Sequence, residues 1–395
     1  MTVAAQRPRV KVDEENRGWG RIGRAVMRRP GLVAVVVVGG LLVAGTPFLR
    51  AEFADVDASV LPKGNSVRVA TDLVDKELPV ASSDAAQVVL VGADGRPPSA
   101  ATVGAFIADA ERIDGIGTVA PTASRDGTIV LAAQVEGDAQ AKPAQDAVRA
   151  LRDLPAPTGV DEVLVGGPTA YLVDGLTAIG DRLPWMLAIL AGAVLLLLLL
   201  AFGSLVVPVK AVLLSALSLT ASFGAIVWIF QEGHFVSWLG AEAGPLDASL
   251  PVLMLAVLFG LSTDYELFLL SRIAEGYRSG RTPKDAVVYG LSRTGGLISA
   301  AALLLAIVVG AFALSGLKFM KLLGVGMLIA IAVDATIVRG LLVPAILALL
   351  GRAAWWAPGP LARLARRVSL EGEEPDADSG REPAPEFAGR AEARS

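Results

Sequence analysis

The sequence contains no cysteine and only one histidine, His234, among its 395 residues. Without cysteine the chain can form neither a disulfide nor a thiolate metal site, and it has no cysteine nucleophile. A single histidine also argues against a histidine-rich metal site and against a Ser-His-Asp triad. His234 follows Glu232 in a polar stretch, where a solvated surface residue is a simpler interpretation than a metal ligand.

Charged residues are also scarce, at 19% of the chain, and the net charge is only −4. No basic patch is interleaved with aromatic residues, so nothing indicates nucleic-acid binding. The pair Gly166-Gly167 is not followed by the Gly-Lys-Ser/Thr of a phosphate loop, so no nucleotide site is indicated. We therefore expect no enzyme, no cofactor and no metal, and any energy-driven activity has to draw on an ion gradient.

Apolar residues are abundant, at 53%, and they lie in long continuous runs. A helix needs about 20 predominantly apolar residues to cross the hydrocarbon core of a membrane. Six runs qualify and predict transmembrane helices over 31–48, 184–203, 208–230, 250–270, 296–316 and 322–349. The first run lacks a clear cleavage site after it, so it predicts a retained helix rather than a signal peptide.

The distribution of basic residues predicts how the spans are oriented. The loop after the fourth span and the segment after the sixth are rich in arginine, whereas the charges of loop 231–249 are acidic. Basic loops stay in the cytoplasm, so we expect a multi-pass protein of the cell membrane with both termini cytoplasmic. Segment 1–30 is then cytoplasmic, and segment 350–395 is a cytoplasmic and largely disordered tail.

The segment 49–183 is too long for a loop between two spans. Its pattern alternates helices with short strands, predicted over 86–91, 117–120, 128–135 and 162–165. This order fits a split βαβ arrangement of the ferredoxin-like type. The sequence therefore predicts an α/β domain outside the cytoplasm, joined to a six-helix α-helical bundle.

Asp264 and Tyr265 are the most informative residues, because they interrupt an otherwise apolar span. A charged side chain near mid-bilayer costs about 2.5–3.5 kcal/mol and usually faces a bundle interior. A carboxyl in such a place can change between its charged and neutral forms, as proton coupling requires. Tyr265 adds a hydroxyl that can donate to a carboxylate or relay a proton. The alternative is that Asp264 only pairs with a basic group to hold helices together.

The last predicted span holds a second charged pair, Asp334 and Arg339. Five residues apart on an α-helix, they are not quite on one face, so a direct pair would be imperfect. Arg339 can instead compensate Asp264 or Asp334 across a helix interface, and a structural salt bridge and a proton-path role both stay open. Ser299 is a further candidate hydroxyl, with simple backbone hydrogen bonding as its alternative. Glu266 is either interfacial or involved in proton entry.

The stretch 260–272, GLSTDYELFLLSR, resembles the Asp-Tyr signature of the MMPL branch of the RND superfamily of transporters. The steps 166–170, 334–339 and 351–358 are similar to that family too. The resemblance implies a porter-type external domain and a proton relay that includes Asp264 and Tyr265, with Leu261 and Phe268 around it. It also implies export of lipid or other hydrophobic cargo toward the cell envelope, with membrane lipids as surroundings.

One departure from the family concerns size, because full-length members carry two such halves and this sequence has one. A homodimer, a complex with an N-terminal-half partner and a truncated remnant are all compatible with the sequence. A non-transporting membrane scaffold or a Sec-accessory-like assembly module is the alternative function. The titratable pair Asp264-Tyr265 favours transport, because a scaffold does not need such a pair at that depth.

Overall fold

The computed structural model describes residues 17–54, 61, 64–77 and 84–358. The helices are α1 Arg17–Arg28, α2 Pro30–Gly45, α3 Ser66–Glu77, α4 Ala100–Ala110, α5 Lys142–Arg152, α6 Pro168–Phe202, α7 Val206–Ile226, α8 Leu250–Arg278, α9 Pro283–Gly310, α10 Lys318–Ala332 and α11 Val343–Leu350. The strands are β1 Phe53–Ala54, β2 Ala86–Gly92, β3 Ile116–Arg125, β4 Thr128–Val135, β5 Val160–Gly166 and β6 Leu246–Asp247. Residues 1–16 and the tail predicted to be disordered, from residue 359 onward, lie outside the described range.

Among the residues that the structure describes, six helical segments are long and apolar enough to cross a membrane. They cover Pro30–Arg50, Pro168–Phe202, Val206–Gln231, Leu250–Arg278, Pro283–Leu314 and Lys318–Trp355. The predicted multi-pass helical membrane bundle is therefore confirmed. Two segments contain π-helical turns, over Val227–Gln231 and Val333–Leu342.

Several helices are longer than the apolar runs that predict them. The helix α9 begins at Pro283, well before residue 296, because Thr282 caps it by accepting a hydrogen bond from the backbone N–H of Asp285. The helix α6 begins at Pro168, directly after β5, and continues without interruption through Pro184 to Phe202. An apolar run marks the part of a helix that can cross a membrane, whereas the helix itself can begin before that run.

The α/β unit is a four-stranded antiparallel sheet in the order β3-β4-β2-β5. The helix α4 connects β2 to β3 and α5 connects β4 to β5, which gives the split βαβ arrangement predicted from the sequence. Its core is built from buried residues of the sheet and both helices, including Val88, Leu90, Phe106, Leu131, Val148 and Leu151. A short parallel pairing of β1 with β6 joins the end of the first membrane segment to the loop before α8.

The helices α2 and α7 approach each other closely at two glycines. A methyl group added at Gly45 would lie 2.9 Å from the side chain of Thr220, and one added at Gly224 would collide with the backbone oxygen of Ala44. Small residues allow such close packing between membrane helices.

Replacing Gly224 by alanine should therefore destabilise the bundle by about 1–3 kcal/mol, because the added methyl group forces the two backbones apart. Gly192 in α6 is the matched control, since a methyl group added there meets nothing within 4 Å. Thermal melting of the purified protein in detergent checks this: Gly224→Ala should melt lower than wild type, whereas Gly192→Ala should not. Equal melting of the two variants would contradict the close contact.

Candidate functional site

The helix α8 separates the residues of the Asp-Tyr segment onto different faces. Ser262, Thr263 and Glu266 are buried inside the bundle, whereas Asp264 is exposed. Within the described residues the Asp264 carboxylate makes no hydrogen bond and no ion pair. Within this chain Asp264 therefore lies on the outer face of α8, because the inward face of the helix is occupied by its neighbours in sequence.

A π-helix brings Asp334 and Arg339 together. In the segment Val333–Leu342 the hydrogen bonds span five residues rather than four, so residues five apart lie on one face. The Nη2 and Nε atoms of Arg339 lie 2.7 Å and 2.8 Å from Oδ2 of Asp334. The side chains are only 4% and 16% exposed. The imperfect pair expected for an α-helix is thus a close, buried ion pair, and Arg339 compensates Asp334 rather than Asp264.

Arg339 also connects the π-helical segment to α8. Its Nη2 donates to the backbone oxygen of Ser262 at 2.6 Å. The Ser262 hydroxyl in turn lies 3.2 Å from Oδ1 of Asp334 and 3.2 Å from the hydroxyl of Ser215 on α7. The guanidinium carbon lies 5.2 Å from the centroid of the Tyr265 ring, which is within the range of a cation–π contact. Three membrane segments therefore meet at one charged and hydroxyl-bearing cluster.

A cavity opens beside this cluster, between α7, α8 and the last membrane segment. Its lining combines polar residues with apolar ones, including Ser215, Ser218, Ser222, Leu261, Ser262, Tyr265 and Asp334. Hydroxyl groups and a carboxylate at this depth can hydrogen-bond water and pass a proton along it. Tyr265 lies at this cavity, and Leu261 lines it too, whereas Phe268 is 54% exposed on the outer side of α8.

A second buried ion pair joins α7 to α8. The Lys210 ammonium lies 2.5 Å from Oε1 of Glu266, and the side chains are 4% and 8% exposed. Glu266 is therefore held in an ion pair inside the bundle. Sequence reasoning missed Lys210, although a single basic residue in an apolar span is a signal that could have identified it.

The hydroxyls in the middle of α9 bond mainly to backbone. Ser299 donates to the backbone oxygen of Gly295, and its oxygen accepts a hydrogen bond from the indole N–H of Trp19 at 3.1 Å. Thr294 donates to the backbone oxygen of Gly290. The structure therefore joins Ser299 to α1, and not to the cluster around Asp334.

The single histidine, His234, lies apart from this cluster. His234 stacks on Trp228, with ring centroids 4.4 Å apart, and its Nδ1 lies 2.9 Å from the backbone oxygen of the same residue. Among residues 17–54, 61, 64–77 and 84–358, no group of three or more His, Cys, Asp or Glu side chains is placed to hold a metal ion.

Comparison with known proteins identifies the family of the chain. The model of the MMPL family matches residues 59–369. The trehalose monomycolate exporter MmpL3 of Mycobacterium tuberculosis is 36% identical over 381 residues, which cover 92% of this chain and 40% of the exporter. The putative membrane protein SCO6666 of Streptomyces coelicolor is 38% identical over 383 residues, covering 95% of this chain and 51% of that protein. The heme uptake protein MmpL11 of Mycobacterium tuberculosis is 32% identical over 369 residues, covering 92% and 38%.

The chain thus spans between 38% and 51% of the length of these three relatives. The family match runs through the α/β unit, the Asp-Tyr segment of α8 and the π-helical segment. Together with the six membrane segments, it shows that this chain is a multi-pass membrane protein and belongs to the MMPL family.

Proposed function

We propose that this chain forms one half of a proton-driven MMPL transporter that exports lipid or another hydrophobic cargo toward the cell envelope. The observation that carries the proposal is the position of Asp264, a carboxylate on the outer face of α8 in the middle of a membrane segment. Its neighbour Tyr265 lies at the cavity on the inner side of the same helix.

The outer face of α8 carries a carboxylate that has to be shielded from lipid. Leu253, Val257 and Phe268 are exposed along the helix, with Asp264 among them. Apolar side chains can face lipid, but a carboxylate there costs about 2.5–3.5 kcal/mol or more. A second half packed on this face would shield the carboxylate and could offer it a hydrogen-bond donor. Either a second copy of this chain or a separate N-terminal-half partner could pack on this face as the second half.

The two faces of α8 suggest how a proton would cross it. Successive residues on a helix point about 100° apart, so Asp264 is directed toward the second half while Tyr265 is directed toward the cavity of its own half. In this proposal Asp264 takes up and releases the proton, and the Tyr265 hydroxyl passes it between the halves and the cavity. Leu261 and Phe268 exclude lipid and water around the pair, and the Asp334–Arg339 pair fixes the charge next to Tyr265.

The name of a relative supports the cargo, and the positions of the arginines support the orientation of the chain. A relative named as a trehalose monomycolate exporter supports a lipid cargo. The arginines of α1 and those around the connection between α8 and α9 support a cytoplasmic position for these two parts of the chain. The α/β unit then stands outside the cytoplasm, where it would receive the cargo. In this proposal the chain is a transporter and not an enzyme.

Proton flux is the direct test. The purified full chain is reconstituted into vesicles containing a pH-sensitive dye, an inward proton gradient is imposed, and fluorescence is followed with and without a fluorescent lipid in the membrane. We expect proton entry above that of protein-free vesicles, only in samples that native mass spectrometry shows to contain two halves. Dimeric protein that passes no protons would contradict the proposal.

A further inference from the structure

The helix α1 has one strongly basic face. Its sequence, RGWGRIGRAVMR, contains four arginines and no acidic residue. Arg21, Arg24 and Arg28 recur at three- and four-residue spacing, which places them on one side of the helix. These three side chains and the following Arg29 are exposed.

The opposite face of α1 is packed on α9. A methyl group added at Gly23 would lie 3.3 Å from the side chain of Leu291, and one added at Gly20 would lie 3.7 Å from that of Ser292. As α1 advances, its contacts move toward the beginning of α9, so the two helices run in opposite directions. The arginine face is therefore turned away from the bundle by the packing of its glycines.

Trp19 anchors α1 next to the charged cluster. Its indole N–H donates to Ser299 of α9 at 3.1 Å. A methyl group added at Gly340 would lie 2.9 Å from the indole ring, and one added at Gly295 would collide with the ring. The indole thus fits between α9 and the π-helical segment because both positions are glycine. Gly340 directly follows Arg339, so Trp19 supports the segment that carries the Asp334–Arg339 pair.

We propose that the arginine face of α1 binds the headgroups of anionic phospholipids, and that Trp19 transmits this binding to the π-helical segment. The occupant follows from charge and position. The exposed side chains of Arg24, Arg28 and Arg29 complement a negative surface, and each is worth about fivefold in affinity for an anionic membrane surface. The first membrane-spanning segment begins at Pro30, directly after Arg29, so this face stands at the boundary of the membrane.

The binding is measured on the purified full chain in detergent, which makes its outcome independent of the proposed transport. Dioleoylphosphatidylglycerol and dioleoylphosphatidylcholine are titrated separately, and native mass spectrometry ranks the bound lipid. The test variant is Arg24→Gln/Arg28→Gln/Arg29→Gln. The matched control is Arg96→Gln/Arg112→Gln/Arg125→Gln, which removes three exposed arginines from the α/β unit.

We expect wild type and control to prefer phosphatidylglycerol, and the test variant to bind it on the order of 100-fold more weakly, at about fivefold for each arginine removed. A test variant that keeps the preference would overturn the proposal. The proposal would also be overturned if wild type shows no preference for phosphatidylglycerol and its arginine face instead retains a cytoplasmic protein during purification.

Hydrogen exchange tests the transmission through Trp19. Peptides covering the π-helical segment should exchange more slowly in wild type when phosphatidylglycerol is added. Trp19→Phe should still bind the lipid but lose this slowing, because phenylalanine has no N–H to donate to Ser299. Trp185→Phe, which changes an exposed tryptophan of α6, is the control and should keep it. Exchange of this segment that is unaffected by the lipid in wild type would disprove the transmission.

Discussion

Replacing Asp264 by asparagine is expected to reduce proton flux through the reconstituted protein to the level of protein-free vesicles. Asparagine has nearly the same shape as aspartate, but its amide cannot take up and release a proton as a carboxylate does. If Asp264 is the proton carrier, the loss should be complete rather than partial, because no other carboxylate is exposed on the same face of α8 within the membrane span predicted at 250–270. The measurement is dye-monitored proton entry under an imposed gradient.

The position of Asp264 separates this loss from a folding defect. Among the described residues the carboxylate has no partner, so the asparagine variant breaks no ion pair of its own half. Its melting temperature should equal or exceed that of wild type, since a neutral amide is cheaper to place in a membrane than a carboxylate. Glu275→Gln, an exposed change near the end of the same helix, should leave flux unchanged. Full proton flux in Asp264→Asn would rule out the relay role.

The membrane segments were predictable from the sequence because the constraint on them is one-dimensional. A span needs a continuous run of apolar residues, whatever its neighbours are. The strands around 86–91 and 128–135 were likewise indicated by local patterns and are observed at Ala86–Gly92 and Thr128–Val135. The start of α9 was not, because Thr282 caps this helix well before its apolar run begins.

The site was predictable in its residues but not in its geometry. Asp264, Tyr265, Asp334 and Arg339 stand out in the sequence because charge and hydroxyls interrupt apolar spans. The direction of Asp264 depends on how α8 is rotated against α7, which no local pattern encodes. The Asp334–Arg339 pair depends on a π-helix, whereas helical reasoning assumes 3.6 residues per turn. The Lys210–Glu266 pair joins residues 56 positions apart and becomes visible only once α7 and α8 are packed.

Replacing Arg339 by methionine is the second change with a large expected effect. Methionine has similar length, but it leaves Asp334 buried without its cation and removes the hydrogen bond to the backbone oxygen of Ser262. Breaking a buried ion pair in this way costs about 3–5 kcal/mol. The free energy of unfolding, measured by titrating the purified protein in mixed micelles with sodium dodecyl sulfate, should fall by that amount.

The double variant Asp334→Leu/Arg339→Met distinguishes a structural pair from a functional one. Two apolar residues of similar volume remove both charges, and such replacements are often neutral or stabilising. Unfolding free energy should therefore return toward the wild-type value. If the pair only holds the helices together, proton flux should return with it. We expect flux to stay low despite restored stability, because Tyr265 loses the guanidinium whose carbon lies 5.2 Å from its ring. Flux and stability that recover together would leave Asp334 and Arg339 with a purely structural role.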